Sequence, residues 1–287
     1  MQSNNPVFRN SEQFNRPSAN AYGNQTYAGN GTAFPGYGQG SDPSSWGVGT
    51  PGSAPATSTA PMTIDSVVQK TALALGTVIV FALATWILTP SLTATDQNLG
   101  GLGAAVTIGA LGAFALSMVN SFKRVISPAL VLAFCAFEGI ALGGFSKLLD
   151  ARFGDGIVSG AVIGTFAAFA GTLAAYKFFD IKVGHKFRVF VMAAVFGMVG
   201  LSLMELVLSL FGSGLGLFGF GTLGLLTAVA GLVLGVFMLV MDFDFVEQGI
   251  ANRLPEVESW RAAFAMTVSL VWIYTNLLRL LAIFSQD

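Results

Sequence analysis

Histidine and cysteine are almost missing from this 287-residue chain, where His185 and Cys135 stand alone. One cysteine cannot close an internal disulfide, and in an apolar run its ordinary role is that of a small buried hydrophobe. One histidine in a basic joint supplies neither a histidine-rich metal site nor a serine–histidine intramembrane protease. Charge is scarce as well. Charged residues make up 10% of the chain, and 14 Lys and Arg against 15 Asp and Glu leave a net charge of −1, which excludes the basic footprint of a nucleic-acid-binding protein. Asp155, in Phe153-Gly154-Asp155-Gly156, bears only a faint likeness to the Gly-x-Gly-Asp element of aspartyl intramembrane proteases and falls in a joint between apolar runs. No enzyme is expected, and with it no catalytic residue, cofactor or bound metal.

What is abundant is apolar surface. Hydrophobic residues make up 53% of the chain and mean hydropathy is +0.69, more than a water-soluble domain can cover with polar groups. The apolar residues are gathered in seven runs, at 70–88, 99–119, 125–145, 157–176, 187–210, 222–241 and 262–284. Each comes close to or exceeds the roughly 20 residues that a helix needs to cross a hydrocarbon core of about 30 Å. They are continuously apolar, whereas barrel strands would alternate, and a spanning helix satisfies its own backbone. The predicted fold is an all-α polytopic membrane bundle of about seven transmembrane helices over 62–287. Glycines such as Gly109, Gly112, Gly164, Gly171, Gly231 and Gly235 fall inside the runs and predict close helix packing. Residues 1–61 are rich in Asn, Gly, Ser, Pro and Gln without an apolar period and are expected to form a disordered tail. It lacks the apolar core of a signal peptide.

Short joints set the orientation. Lys70, Lys123, Arg124, Lys177, Lys182, Lys186, Arg188, Arg253 and Arg261 fall at one side, and only Lys147 and Arg152 at the other. This bias predicts a cytoplasmic amino terminus and, with an odd number of spans, an exterior carboxyl terminus. The sequons beginning at Asn24 and Asn30 are then silent. Short loops and no cleavable signal suit a bacterial inner membrane.

An ionised side chain at the centre of a span costs roughly 2.5 to 3.5 kcal/mol on insertion scales, so it must find a partner or carry a proton. Glu138 lies about 20 Å along the third run and cannot snorkel to water. Either a proton or cation role or a structural hydrogen bond to a neighbouring helix accounts for it. Glu205 and Arg279 lie at comparable distances along runs five and seven, which point the same way, and are expected to form a structural ion pair. Asp242 and Asp244 end the sixth run near the cytoplasmic face. At about 100° per residue they leave the helix on nearly opposite sides, one toward the bundle and the other toward headgroups or a basic joint such as 182–188.

The third run, Phe134-Cys135-Ala136-Phe137-Glu138-Gly139-Ile140-Ala141-Leu142-Gly143, resembles the Bax inhibitor / YccA-like family. So does the stretch from Met241-Asp242-Phe243-Asp244 to Tyr274-Thr275-Asn276-Leu277-Leu278-Arg279-Leu280-Leu281. The likeness covers about 65–284 in span count and order and is that of a divergent bacterial branch. It implies a bundle around a central last helix, a pH-sensitive leak of calcium or another cation, and a carboxylate latch between helices six and seven. The sixth-helix acid matches Asp242 or Asp244; its partner would fall near Trp272 or Ile273, and neither is acidic. Glu138, Asp242 and Asp244 are therefore the candidate ion path or gate, and the expected partners are the lipid bilayer and calcium or protons. The alternative is a non-conducting scaffold that regulates a protease or another membrane protein. Reporters fused at the two termini should place the first in the cytoplasm and the second outside; finding both on one side would remove the odd span count or the orientation.

Overall fold

The computed structural model describes residues 60–90, 100–154, 156–179 and 181–286. The tail expected over 1–61, apart from its last two residues, lies outside the described residues, as do both sequons and Asp155. Among the described residues there are seven helices, each long and apolar enough to cross a membrane, and the only β-pairing is an isolated bridge between Pro61 and Pro255. They are α1 (Ile64–Leu88), α2 (Gly100–Phe122), α3 (Pro128–Phe153), α4 (Ile157–Phe178), α5 (His185–Leu210), α6 (Thr222–Ala251) and α7 (Glu258–Phe284).

Local chemistry sets the ends of these helices. Thr63 and Ser66 form a reciprocal capping box at the start of α1, which satisfies two backbone N–H groups that the first turn would leave orphaned. Pro128 opens α3, where a missing N–H costs nothing. The chain then turns from α3 into α4 through Gly154 and Gly156, at φ 97° and 104°, a region an L side chain rarely occupies. The segment before α1 is pinned to the joint between α6 and α7: the N–H of Met62 donates to the Leu254 carbonyl at 2.7 Å, and that of Glu256 to the Ala60 carbonyl at 2.8 Å.

Helix α7 is the axis. It packs against α1, α3, α4 and α6, while α2 leans on α3, and α5 packs chiefly on α6. Burial follows position. Thirteen residues of α7 are buried, among them Ser259, Thr267, Ile273 and Asn276, whereas Val191 is the only buried residue of α5. Large apolar side chains such as Phe190, Phe196 and Leu206 instead face outward, where acyl chains are their solvent.

The glycines divide into two groups. A Cβ at Gly139 or Gly143 would collide with the α1 backbone at Val78 or Ala82, and one at Gly231 or Gly235 would strike Asn276 or Ile273 of α7. These are close backbone approaches in a solvent that gives no hydrophobic drive to helix association, so dispersion across short separations must supply the attraction. Gly101, Gly103 and Gly171 face open space and do no such packing. Gly143→Ala is accordingly expected to cost about 1–3 kcal/mol in a denaturant titration in mixed micelles, as overpacked sites do. Gly101→Ala should be silent, and equal effects at the two positions would contradict this division.

Candidate functional site

Helices α6 and α7 run antiparallel, and their facing residues pair in order. Gly231 lies against Asn276, Gly235 against Ile273, and Asp242 against Ser269, whose hydroxyl donates to the Asp242 Oδ2 at 2.6 Å. The α7 position opposite the aspartate is thus Ser269, earlier than the expected Trp272 or Ile273. Those two are otherwise occupied: the Trp272 indole donates to the Gly231 carbonyl at 2.8 Å and Ile273 is fully buried.

Asp242 also lies deeper than its place at the end of the apolar run predicts. Helix α6 continues to Ala251, which puts Asp242 about 14 Å inside its end at 1.5 Å per residue. The reason is amphiphilic. The added turns keep Phe243 and Gly249 buried while Glu247 and Gln248 are exposed, so the helix persists where continuous hydrophobicity stops.

Asp244 leaves the opposite side of α6. Its Oδ2 accepts from the Arg188 guanidinium of α5 and from the Gln248 amide at 2.8 Å, one turn on. The two aspartates therefore separate as the helical offset requires, one into the bundle and one onto the basic joint. That end of the bundle is laced by further contacts. Lys70 pairs with Glu256 at 2.9 Å, Arg261 with Glu258 at 3.0 Å, and the Tyr176 hydroxyl donates to Glu247 at 2.6 Å.

Glu138 occupies the same level from another helix. It lies about 15 Å from the start of α3 at Pro128, matching the depth of Asp242 from that end of the bundle. One turn before it Phe134 meets Phe264 of α7, with ring centroids 5.0 Å apart; two turns after it the Ser146 hydroxyl bonds to the Tyr274 hydroxyl at 2.6 Å. The row Phe134, Glu138, Leu142, Ser146 thus turns Glu138 toward α7. Among the described residues its carboxylate has neither a hydrogen-bond nor an ion-pair partner. Two acids, Glu138 and Asp242, flank the axial helix at one depth but do not touch each other. No group of three or more His, Cys, Asp or Glu suited to a metal occurs among the described residues.

The expected ion pair between Glu205 and Arg279 does not form. Glu205 accepts from the N–H groups of Leu215 and Gly216, at 3.1 and 2.8 Å. Arg279 donates to the carbonyls of Leu217 and Gly224 at 3.4 Å and to the Thr227 hydroxyl at 3.2 Å, and its guanidinium lies 5.1 Å from the Phe218 ring centroid. The segment between α5 and α6 comes between the two charges and offers each the backbone pole it needs, N–H to the anion and C=O to the cation. Arg279 Nε keeps no partner.

Two polar residues escaped the sequence reading, Ser269 and Ser146, and Lys147 was counted there only as a charge at the exterior side. The Lys147 ammonium closes the end of α1 by donating to the carbonyls of Trp86 and Thr89 at 2.7 and 2.6 Å. A signal for Ser269 did exist, since Ser269 and Asn276 lie seven residues apart on one face of an apolar helix. A double-mutant cycle of Asp242→Asn and Ser269→Ala should leave a coupling of about 0.5–3 kcal/mol in unfolding free energy. A sum without remainder would mean that the bond contributes nothing.

A family model described as Bax inhibitor 1 like matches residues 5–286 of the chain. Among curated proteins, none matches.

Proposed function

This chain belongs to the Bax inhibitor 1 like family, and from that premise we propose that it is a proton-sensitive cation leak, with calcium as the conducted ion and Asp242 as the gating acid. The observation that carries the reading is the hydrogen bond from Ser269 to Asp242, because it ties α6 to the axial helix through a titratable group. An ionised acceptor makes such a bond roughly twice as strong as a neutral one, so a proton on Asp242 loosens the tie. A single carboxylate facing a hydroxyl replaces the pair of carboxylates that the family resemblance implies. Glu138, at the same depth and without a partner among the described residues, offers oxygen ligands to a hard cation passing α7. In this reading the amino terminus is cytoplasmic, the carboxyl terminus is exterior and the membrane is a bacterial inner membrane. Asp244 stays tied to Arg188 and acts structurally.

One observation favours a non-conducting scaffold for a protease or another membrane protein. Both α6 aspartates are already satisfied by protein donors, as packing groups would be.

Calcium uptake by proteoliposomes measured from about pH 5 to pH 8 separates the two. The leak predicts pH-dependent uptake that Asp242→Asn makes flat, since the amide resembles the protonated acid at every pH. Glu138→Gln should lower uptake, and Asp244→Asn should keep the pH profile. Absence of uptake at every pH would leave the scaffold; an unchanged profile in Asp242→Asn would move the gate elsewhere.

A further inference from the structure

A cavity of about 210 Å³ opens between α1 and α4, two helices that both pack on α7 rather than on each other. Its inner wall is buried, with Val78, Leu142 and Leu270. Its mouth is not: Ile79 and Leu83 of α1 and Val162 and Phe166 of α4 are exposed on the face that the bilayer bathes.

Its hydroxyls are already spent. The hydroxyls of Ser146 and Tyr274 bond to each other at 2.6 Å, and Thr165 donates to the Ala161 carbonyl at 2.7 Å. Nothing in the cavity asks for a polar ligand or for a cation. Apolar cavities stay dry and take up apolar molecules, and this one opens on acyl chains, so water is not its expected occupant.

Length and charge identify what is. From Leu75 to Trp86 the lining of α1 covers about 16 Å, close to half the roughly 30 Å hydrocarbon core and so to one leaflet. Trp86 marks the end at which an indole suits the headgroup level. At that same end Lys147 carries a positive charge with no carboxylate partner among the described residues. Its three donors are engaged, so it acts on an anion through its field.

We infer that this groove is a binding site for a bilayer phospholipid, one acyl chain of which enters sideways between α1 and α4 with the phosphate at the Trp86 and Lys147 end. The groove is continuous with the lipid-facing surface and needs no opening of the bundle. The site is independent of the leak reading, since neither Asp242 nor Glu138 lines it.

Native mass spectrometry of the full chain, extracted in mild detergent, should find one phospholipid retained per chain. Val162→Phe, which adds bulk at the mouth, should lose it, while Val233→Phe on the outer face of α6 should keep it. Thr165→Leu fills the same wall and takes the place of Val162→Phe if that variant does not fold. In vesicles of phosphatidylcholine brominated along the acyl chain, the emission of Trp86, isolated by subtracting the spectrum of Trp86→Phe, should be quenched more in wild type than in Val162→Phe. Equal lipid retention and equal quenching in the two would overturn the site, and so would retention of free fatty acid in place of phospholipid.

Discussion

A bilayer offers no water to a stranded polar group, and this constraint decides where the charges inside the described spans go. Lys147 takes the carbonyls that α1 leaves open at its end. Glu205 and Arg279 take backbone groups of the segment between α5 and α6. Where helix ends and joints lie nearby, backbone dipoles satisfy buried charge as well as a counter-ion does, and they leave fewer desolvated ions in the bundle. Asp242 and Glu138 lie far from any helix end. The first takes the one hydroxyl that α7 presents to it, and the second has no partner among the described residues, which is why these two acids carry the functional reading.

The axial position of α7 follows from the same economy. A helix with neighbours on many sides must be slim where it is crowded and polar only where partners wait. Against α6 the slimness is on the neighbour, at Gly231 and Gly235, while α7 supplies Asn276 and Ile273. Between α1 and α3 the glycines of α3 provide it instead. The interface that holds Asp242 to Ser269 is therefore narrow by construction, and it lies on a helix that touches four others.

Hydrophobic length made the spans legible, and a helical wheel made the divergence of Asp242 and Asp244 legible, because both depend on the chain's own geometry. What stayed hidden depends on partners distant in sequence. Equal distance along two parallel helices suggested that Glu205 would find Arg279, but a span-by-span reading has no view of a loop folding between them. The length of α6 was misread for a related reason: its last turns mix buried Phe243, Asp244 and Gly249 with exposed Glu247 and Gln248, so continuous hydrophobicity ends at Met241 while the helix does not. Glu138 was legible from rarity alone, as an acid in an apolar run, and its lack of a partner emerged only with the neighbours in place.

Helix α7 follows in sequence every helix it packs against. During synthesis α1, α3, α4 and α6 must enter the membrane and wait with their inner faces uncovered. Gly231, Gly235 and the carboxylate of Asp242 then meet lipid or the insertion machinery, and the slot between α1 and α6 has no occupant. Assembly of the bundle thus waits for α7, and a ribosome that stalls before Glu258 leaves behind a set of spanning helices without their axis.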